Sequence, residues 1–348
     1  MTIKHLVISG GGPTGMSFMG ALEYLHDEGF WKLEEIESIY ATSIGTLVAV
    51  VFCLNYDWET LNTYFIDRPW NDVFKVSAKQ IMEVYTNKGL FDIKTMDKIL
   101  KPLLEAKDLS LNITLNEFYE YTKKDLYFYA FDLNSYKTIE INHKEYPDLL
   151  LVKAVYMSCS LPGIFMPIFI DDKCIIDGGS LANFPINYCL RDHTNREEIL
   201  GLNFLYANSD GTKCSGNSII TNESTMLDFI LGLSLNSVNY ITTSIKCEDI
   251  PYIFNMPSSM SSLTVDDINK FISDPECRKS LFDKGRKYAK IFIEKHRLLN
   301  KMNDDETNDD ETNDDETNDD ETNDDSKTND DSKTNDDSKT NDDSKTND

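Results

Sequence analysis

The chain has 348 residues and a formal net charge of −26, but that charge is unevenly placed. In residues 303–348, 17 Asp and 4 Glu face only 4 Lys, giving −17 and leaving −9 for residues 1–302. The remaining globular part is moderately acidic and has no compensating basic domain to neutralise phosphates, which argues against nucleic acid as a partner.

Residues 303–348 repeat NDDET four times and then pass into NDDSKT units, without one aliphatic or aromatic side chain. Such a segment cannot bury a core, so it is expected to be a disordered acidic tail, solvated and solubilising. No internal boundary is visible before it, and residues 1–300 are expected to form one domain. The seven cysteines, at 53, 159, 174, 189, 214, 247 and 277, include no CxxC or CxxH spacing, so neither a zinc site nor a disulfide framework is expected. The apolar run that opens MTIKHLVISGG is too short for a signal peptide, and the longest apolar stretch, Thr46 to Leu54, is far short of the ~18 residues that a bilayer span requires. These features lead to the expectation of a soluble cytoplasmic protein, with transient membrane or lipid-droplet contact as an option.

In chain order, Ile3 to Ser9 predicts a buried strand, and Phe18, Ala21, Leu22 and Leu25 predict a helix over Met16 to His26. Between them lies the turn Gly10-Gly11-Gly12-Pro13-Thr14-Gly15. A second strand, Ser38 to Thr42, enters the turn Ala41-Thr42-Ser43-Ile44-Gly45, after which Leu47 to Leu54 has no polar face and predicts a buried helix. Further strands are predicted at Leu126–Leu133, Lys137–Ile141, Ile168–Ile170, Cys174–Ile176, Ile199–Tyr206 and Tyr252–Met256. Helices are predicted at Trp58–Phe65, Ile93–Glu105, Leu149–Ser158, Met226–Thr243, Val265–Ser273 and Cys277–His296. Strands interleaved with helices indicate a layered α/β domain.

Three chemistries compete for the first turn. A phosphate-binding loop needs Lys after its last glycine, where this chain has Met16. A dinucleotide fold needs an acidic residue at the end of the second strand, whereas Glu34, Glu35 and Glu37 precede that strand. The third reading is a row of backbone N–H donors at a helix N-terminus, suited to an anion or to the oxyanion of acyl transfer. Ser43 sits in the strand-to-helix setting of a nucleophile elbow, with Ala41 in place of the usual first glycine and Gly45 two residues after the serine. None of His5, His26, His143, His193 and His296 lies in a recognisable catalytic loop. Asp177, at the end of an apolar strand and before Gly178 and Gly179, is the better candidate base; the other reading of this segment is an Asp-Gly hairpin turn.

Together these motifs resemble the patatin-like phospholipase family. The resemblance rests on GGGPTG at 10–15, ATSIG at 41–45, and DGG at 177–179 with Asn183 and Pro185. Lys88 to Asp92 and Met157 to Pro167 add to it. It implies a three-layer α/β fold with a mainly parallel central sheet flanked by helices. It further implies a lipid acyl hydrolase, of phospholipase A or acylglycerol lipase type, that uses a Ser/Asp dyad without histidine, metal or cofactor. Carried over by position, Ser43 is the nucleophile, Asp177 its base, and the Gly11 and Gly12 N–H groups the oxyanion hole, with Gly10, Gly15, Ala41, Gly45, Gly178 and Gly179 shaping the turns. A free Asp is a weak base, so its site should be partly desolvated. Thr14 stands where the family usually carries Arg or Lys. A silent lipid- or anion-binding protein of the same fold is the alternative from another class, and a dinucleotide-binding protein a further one. The basic residues between Arg278 and Arg297 belong either to a helix packed on the sheet or to a membrane-surface helix, one that the acidic tail could screen.

Overall fold

A computed structural model describes residues 2–205, 220–243, 250–257 and 265–310. The chain divides into two units, Met1–Leu298 and Leu299–Asp348. Most of the acidic tail, residues 311–348, lies outside the described residues.

The strands are β1 (His5–Ile8), β2 (Ser38–Thr42), β3 (Gly89–Phe91), β4 (Asp125–Asp132), β5 (Lys137–Ile141), β6 (Gly163–Phe165), β7 (Ile168–Ile170), β8 (Lys173–Asp177), β9 (Ile199–Leu205) and β10 (Ile253–Pro257). The helices before β4 are α1 (Met16–Asp27), α2 (Ile44–Cys53), α3 (Trp58–Asn62), α4 (Ala78–Asn87), α5 (Ile93–Glu105) and α6 (Leu115–Thr122). After β5 come α7 (Leu151–Ser158), α8 (Gly179–Ala182), α9 (Ile186–Asp192), α10 (Met226–Thr243), α11 (Val265–Ser273) and α12 (Pro275–Asp310).

The main sheet has the order β10-β9-β1-β2-β4-β8-β7, with β5 also paired to β4. The pairs from β10 to β4 are parallel; β5, β8 and β7 add antiparallel pairing at one side. Parallel neighbours require crossovers, and α1 joins β1 to β2 while α10 joins β9 to β10.

Alternation along the strands explains why both faces of the sheet are covered. Leu6 and Ile8 of β1, Ile39 and Ala41 of β2, and Phe128 and Ala130 of β4 enter the large core. Val7, Tyr40 and Tyr129, the intervening residues, enter a second core with Phe184, Ile186 and Cys189. Residues of period two thus divide between two cores, producing three layers. Helix α2 is buried from Gly45 to Cys53, as expected of a segment with no polar face.

The elements that sequence periodicity missed are short or weakly apolar. Strands β3 and β6 have three residues each and pair in parallel as a separate small sheet. Helices α4 and α6 carry capping boxes, Ser77 with Gln80 and Thr114 with Glu117, a local signal that could have located both starts. Gly178 and Gly179 do not form the hairpin considered for the Asp-Gly pair; Gly178 caps the short helix α8 instead.

The basic segment belongs to α12. Phe282, Ala289 and Ile293 are buried, and a Cβ added at Gly285 would stand 1.9 Å from the Ser17 carbonyl oxygen of α1. Arg278 is itself buried, its guanidinium donating to the carbonyls of Ile66, Arg68, Phe271 and Ile272. Arg286 pairs with Glu23, and Arg297 with Glu28. This apolar face therefore packs against the domain. The proposed screening of the helix by the tail involves residues outside those described.

Candidate active site

The chain turns sharply at Ser43. Strand β2 ends at Thr42, and α2 starts at Ile44, leaving Ser43 at φ 54° and ψ −129°. This left-handed φ is costly for a residue with a Cβ and is the backbone signature of a strained elbow. Surrounding bonds hold it. Thr42 Oγ1 donates to the Ala182 carbonyl at 2.6 Å, and both the N–H and the hydroxyl of Thr46 reach the Ser43 carbonyl, at 2.8 and 2.7 Å. Gly45 permits the tight return, since a Cβ there would come within 2.6 Å of the Ile8 oxygen. Ala41, buried within β2, accommodates its methyl group in the core.

Strand register brings Asp177 to this elbow. Thr42 is paired with Tyr129, so the next residue, Ser43, comes level with Ala130; on the other side of β4, Ala130 is paired with Asp177. Ser43 Oγ donates to Asp177 Oδ2 at 2.5 Å. The other carboxylate oxygen accepts the Gly179 N–H at 2.7 Å. Asp177 is almost fully buried, and desolvation pushes its pKa up to about 6 against the opposing pull of these two hydrogen bonds. The close packing requires glycine, because a Cβ on Gly178 would stand 2.1 Å from the Tyr129 oxygen.

A third side chain connects these parts. Ser158, at the end of α7, accepts the Ser43 N–H at 2.9 Å and donates to the Tyr129 carbonyl at 2.5 Å. Its own carbonyl accepts from Gly178, and that of Ser160 from the Asp177 N–H.

The first glycine turn lies beside Ser43. The Gly10 N–H donates to the Asn183 carbonyl, and a Cβ on Gly10 would lie 3.1 Å from Ser43 Cβ and 2.5 Å from Asn183 Oδ1. Gly11 caps a 3-10 turn over Gly12–Gly15 that leads into α1, and Gly12 has φ 48°. The first N–H groups of such a turn have no acceptor within it and are available to an incoming oxygen. Thr14 Oγ1 donates to the Gly11 carbonyl at 2.8 Å, so this hydroxyl closes the loop. Gly15 faces Ile44 at a distance that leaves no room for a methyl group.

From Ser43 a cavity of about 140 Å³ extends into the domain. Gly12, Pro13, Met16, Ile44 and Leu47 line it near the two turns. Phe65, Trp70, Phe74, Phe91, Met96 and Ile99 form one part of its wall; Cys159, Leu161, Ile164 and Phe165, with Ile268, Phe271 and Ile272, form the rest. A hydroxyl paired with a buried carboxylate, next to backbone donors and an apolar cavity, can carry out acyl transfer on an ester with a hydrocarbon chain.

A sequence model of the patatin-like phospholipases matches residues 6–190, more than half of the chain. The chain belongs to the patatin-like phospholipase family. It is 26% identical over 298 residues to an uncharacterized protein of Acanthamoeba polyphaga mimivirus, a match covering 84% of this chain and 94% of that one. It is 27% identical over 197 residues to the probable lipid hydrolase 463L of Invertebrate iridescent virus 6, covering 56% of this chain and 66% of the viral protein. Among solved structures, VipD from Legionella pneumophila aligns with a TM-score of 0.49 at 14% identity, over 85% of this chain and 67% of VipD.

In this patatin-like domain every residue expected at the site falls in or against the two turns and the Asp177 strand end. No histidine joins them. His193 stacks on His5 at 3.5 Å and approaches Ser38 and Tyr40. Ser38 begins β2 and Ser43 follows its end, a separation of roughly 16 Å along an extended strand. His296 packs among Phe30, Tyr252 and Phe292. Glu37, considered for a ribose, pairs with Lys4 at that same distant strand end. Sequence reasoning assigned no role to Ser158, although the segment Met157 to Pro167 that contains it stood out. Among the described residues no helix is long and apolar enough to cross a membrane.

Proposed function

We propose that this chain is a lipid acyl hydrolase that cleaves carboxylic esters through an acyl-Ser43 intermediate, with Asp177 as general base. The observation that carries the reading is the 2.5 Å bond from Ser43 Oγ to Asp177 Oδ2 within an elbow that opens on an apolar cavity. Family membership supports lipid hydrolysis as the class of activity.

As Oγ attacks the ester carbonyl carbon, its proton passes to Asp177 and the carbonyl oxygen becomes an oxyanion facing the Gly11 and Gly12 N–H groups. Collapse expels the alcohol, which takes the proton from Asp177 and leaves the acyl group on Ser43. Water then gives a proton to Asp177 while its oxygen attacks the acyl ester; the fatty acid departs as Ser43 Oγ recovers that proton. Loss of one oxyanion donor in such a site costs on the order of 3 kcal/mol. Burial raises the basicity of Asp177 toward the operating pH, as a general base needs.

A panel of phospholipids, acylglycerols and chromogenic acyl esters tests the proposal by release of free fatty acid. Hydrolysis abolished by Ser43→Ala is expected. Release of acid by Ser43→Ala at the wild-type rate, or no turnover of any ester by wild type, would contradict it.

A further inference from the structure

We infer that α4 and the outward face of α10 form a docking surface for the phosphate-bearing surface of a lipid bilayer, an inference that rests on the lipid hydrolase reading above. The unusual feature is the orientation of α4. Ile81, Met82 and Tyr85 recur with the i, i+1 and i+4 spacing of one helical stripe, yet they are 60, 82 and 73% exposed. The side turned toward the domain is more polar: Gln80 Nε2 donates to the Leu90 carbonyl at 3.0 Å. The helix buries no residue, although a capping box at Ser77 and a left-handed cap at Lys88 define its two ends. An amphipathic helix held with its apolar stripe outward is suited to an apolar medium outside the protein.

Both helices rest against residues of the cavity wall or its strand. Helix α4 rests beside β3, whose Phe91 lines the cavity, and Leu231 of α10 is buried against Phe91 and Ile164 of that wall. On its opposite side α10 presents Phe229 and Leu233 to solvent. Phe169 of the β7 edge projects nearby, under the Lys88 ammonium at 5.6 Å. Phe91 and Ile164 therefore belong both to the cavity wall and to the packing beneath α10. Charge divides the surface: residues 75–88 hold Lys75, Lys79 and Lys88 against Glu83 alone, which assigns the phosphate headgroups to the α4 side, whereas residues 220–243 hold Glu223 and Asp228 without Lys or Arg, so α10 contributes its apolar face.

The test compares the full chain with Ile81→Ser/Met82→Ser/Tyr85→Ser and with Phe229→Ser/Leu233→Ser, in co-sedimentation with phosphatidylcholine vesicles containing phosphatidylglycerol. Each variant is expected to lose about tenfold in partition, because interfacial binding scales with buried apolar area. The ratio of turnover on vesicles to turnover on a soluble acyl ester should fall in parallel. Ser43→Ala should bind vesicles as wild type does, so the surface is tested whether or not the hydrolase reading holds. Unchanged partition in both multiple variants, with native circular dichroism, would overturn the inference. A wild-type dimer in sedimentation velocity that these substitutions dissociate would also overturn it, by assigning the face to a second copy.

Discussion

Ser43 and Asp177 lie on opposite sides of strand β4, level with Ala130, and meet over it in a 2.5 Å hydrogen bond. The contact is a product of register. A one-residue slip of β8 against β4 would turn the carboxylate to the other face of the sheet.

Asp177→Asn should separate activity from stability. The amide fills the same space but cannot accept the Ser43 proton, so kcat is expected to fall by about 10³ or more. A carboxyl raised from 3.8 to about 6, burial outweighing its two hydrogen bonds, corresponds to a net cost of roughly 3 kcal/mol for the ionised form at neutral pH, which the neutral amide avoids. Thermal melts at pH 8 should therefore show a Tm at or above that of wild type.

Acidity should act on activity through Asp177 and on folding through Asp177 and His5 with opposite signs. In the proposed mechanism only ionised Asp177 acts as the base, so kcat/KM should rise as pH increases through about 6 and then level off. For folding, the same carboxyl binds protons more tightly in the native state between pH 3.8 and 6, and its contribution weakens as pH rises across that window. His5 has the opposite sign. Burial lowers it to about 4, so between pH 6.5 and 4 the unfolded chain binds the additional proton, and acidification weakens the fold. Denaturant melts of His5→Gln should show a shallower loss of stability over that interval than wild type.

Ser158→Ala should damage the elbow without altering the Ser43 side chain. It leaves the part-buried Ser43 N–H and the buried Tyr129 carbonyl without the hydroxyl that joins them. A cost of about 1–3 kcal/mol is expected in urea unfolding, with a lower kcat and little change in KM.

Acyl length should be set by the cavity wall. Leu161→Trp adds volume at a half-buried lining position. It is expected to lower kcat/KM for a long-chain chromogenic ester by about tenfold or more relative to a butyrate ester, consistent with the 10–200-fold value of a methylene in a fitted pocket. Equal values for the two esters in wild type and variant would remove the cavity from chain recognition.

Much of the fold was legible because β1, β2 and β4 are mainly apolar runs, as strands buried on both faces require, and α2 is apolar all round. Strands β3 and β6 escaped because three residues carry no period and neither pairs with a sequence neighbour across a tight turn, as the equally short β7 does with β8; α4 escaped because its few apolar residues are interspersed with polar ones. At the site, Ser43 was legible from the turn chemistry around it, and Asp177 from a strand end followed by two glycines. Ser158 was not, since a serine within Met157-Ser158-Cys159-Ser160 becomes a strut only when α7 is laid against the β2 elbow. The cavity was also hidden: its lining runs from Gly12 to Ile272, and only the folded sheet brings those segments together.

The most direct test of the central claim is mass spectrometry of the full chain after reaction with an alkyl fluorophosphonate, which captures a serine only when it is activated and aligned with oxyanion donors. One adduct, mapped to Ser43, absent from Ser43→Ala and strongly slowed in Asp177→Asn, is the predicted result. A folded wild-type chain that forms no adduct, or an adduct that persists in Ser43→Ala, would contradict the account.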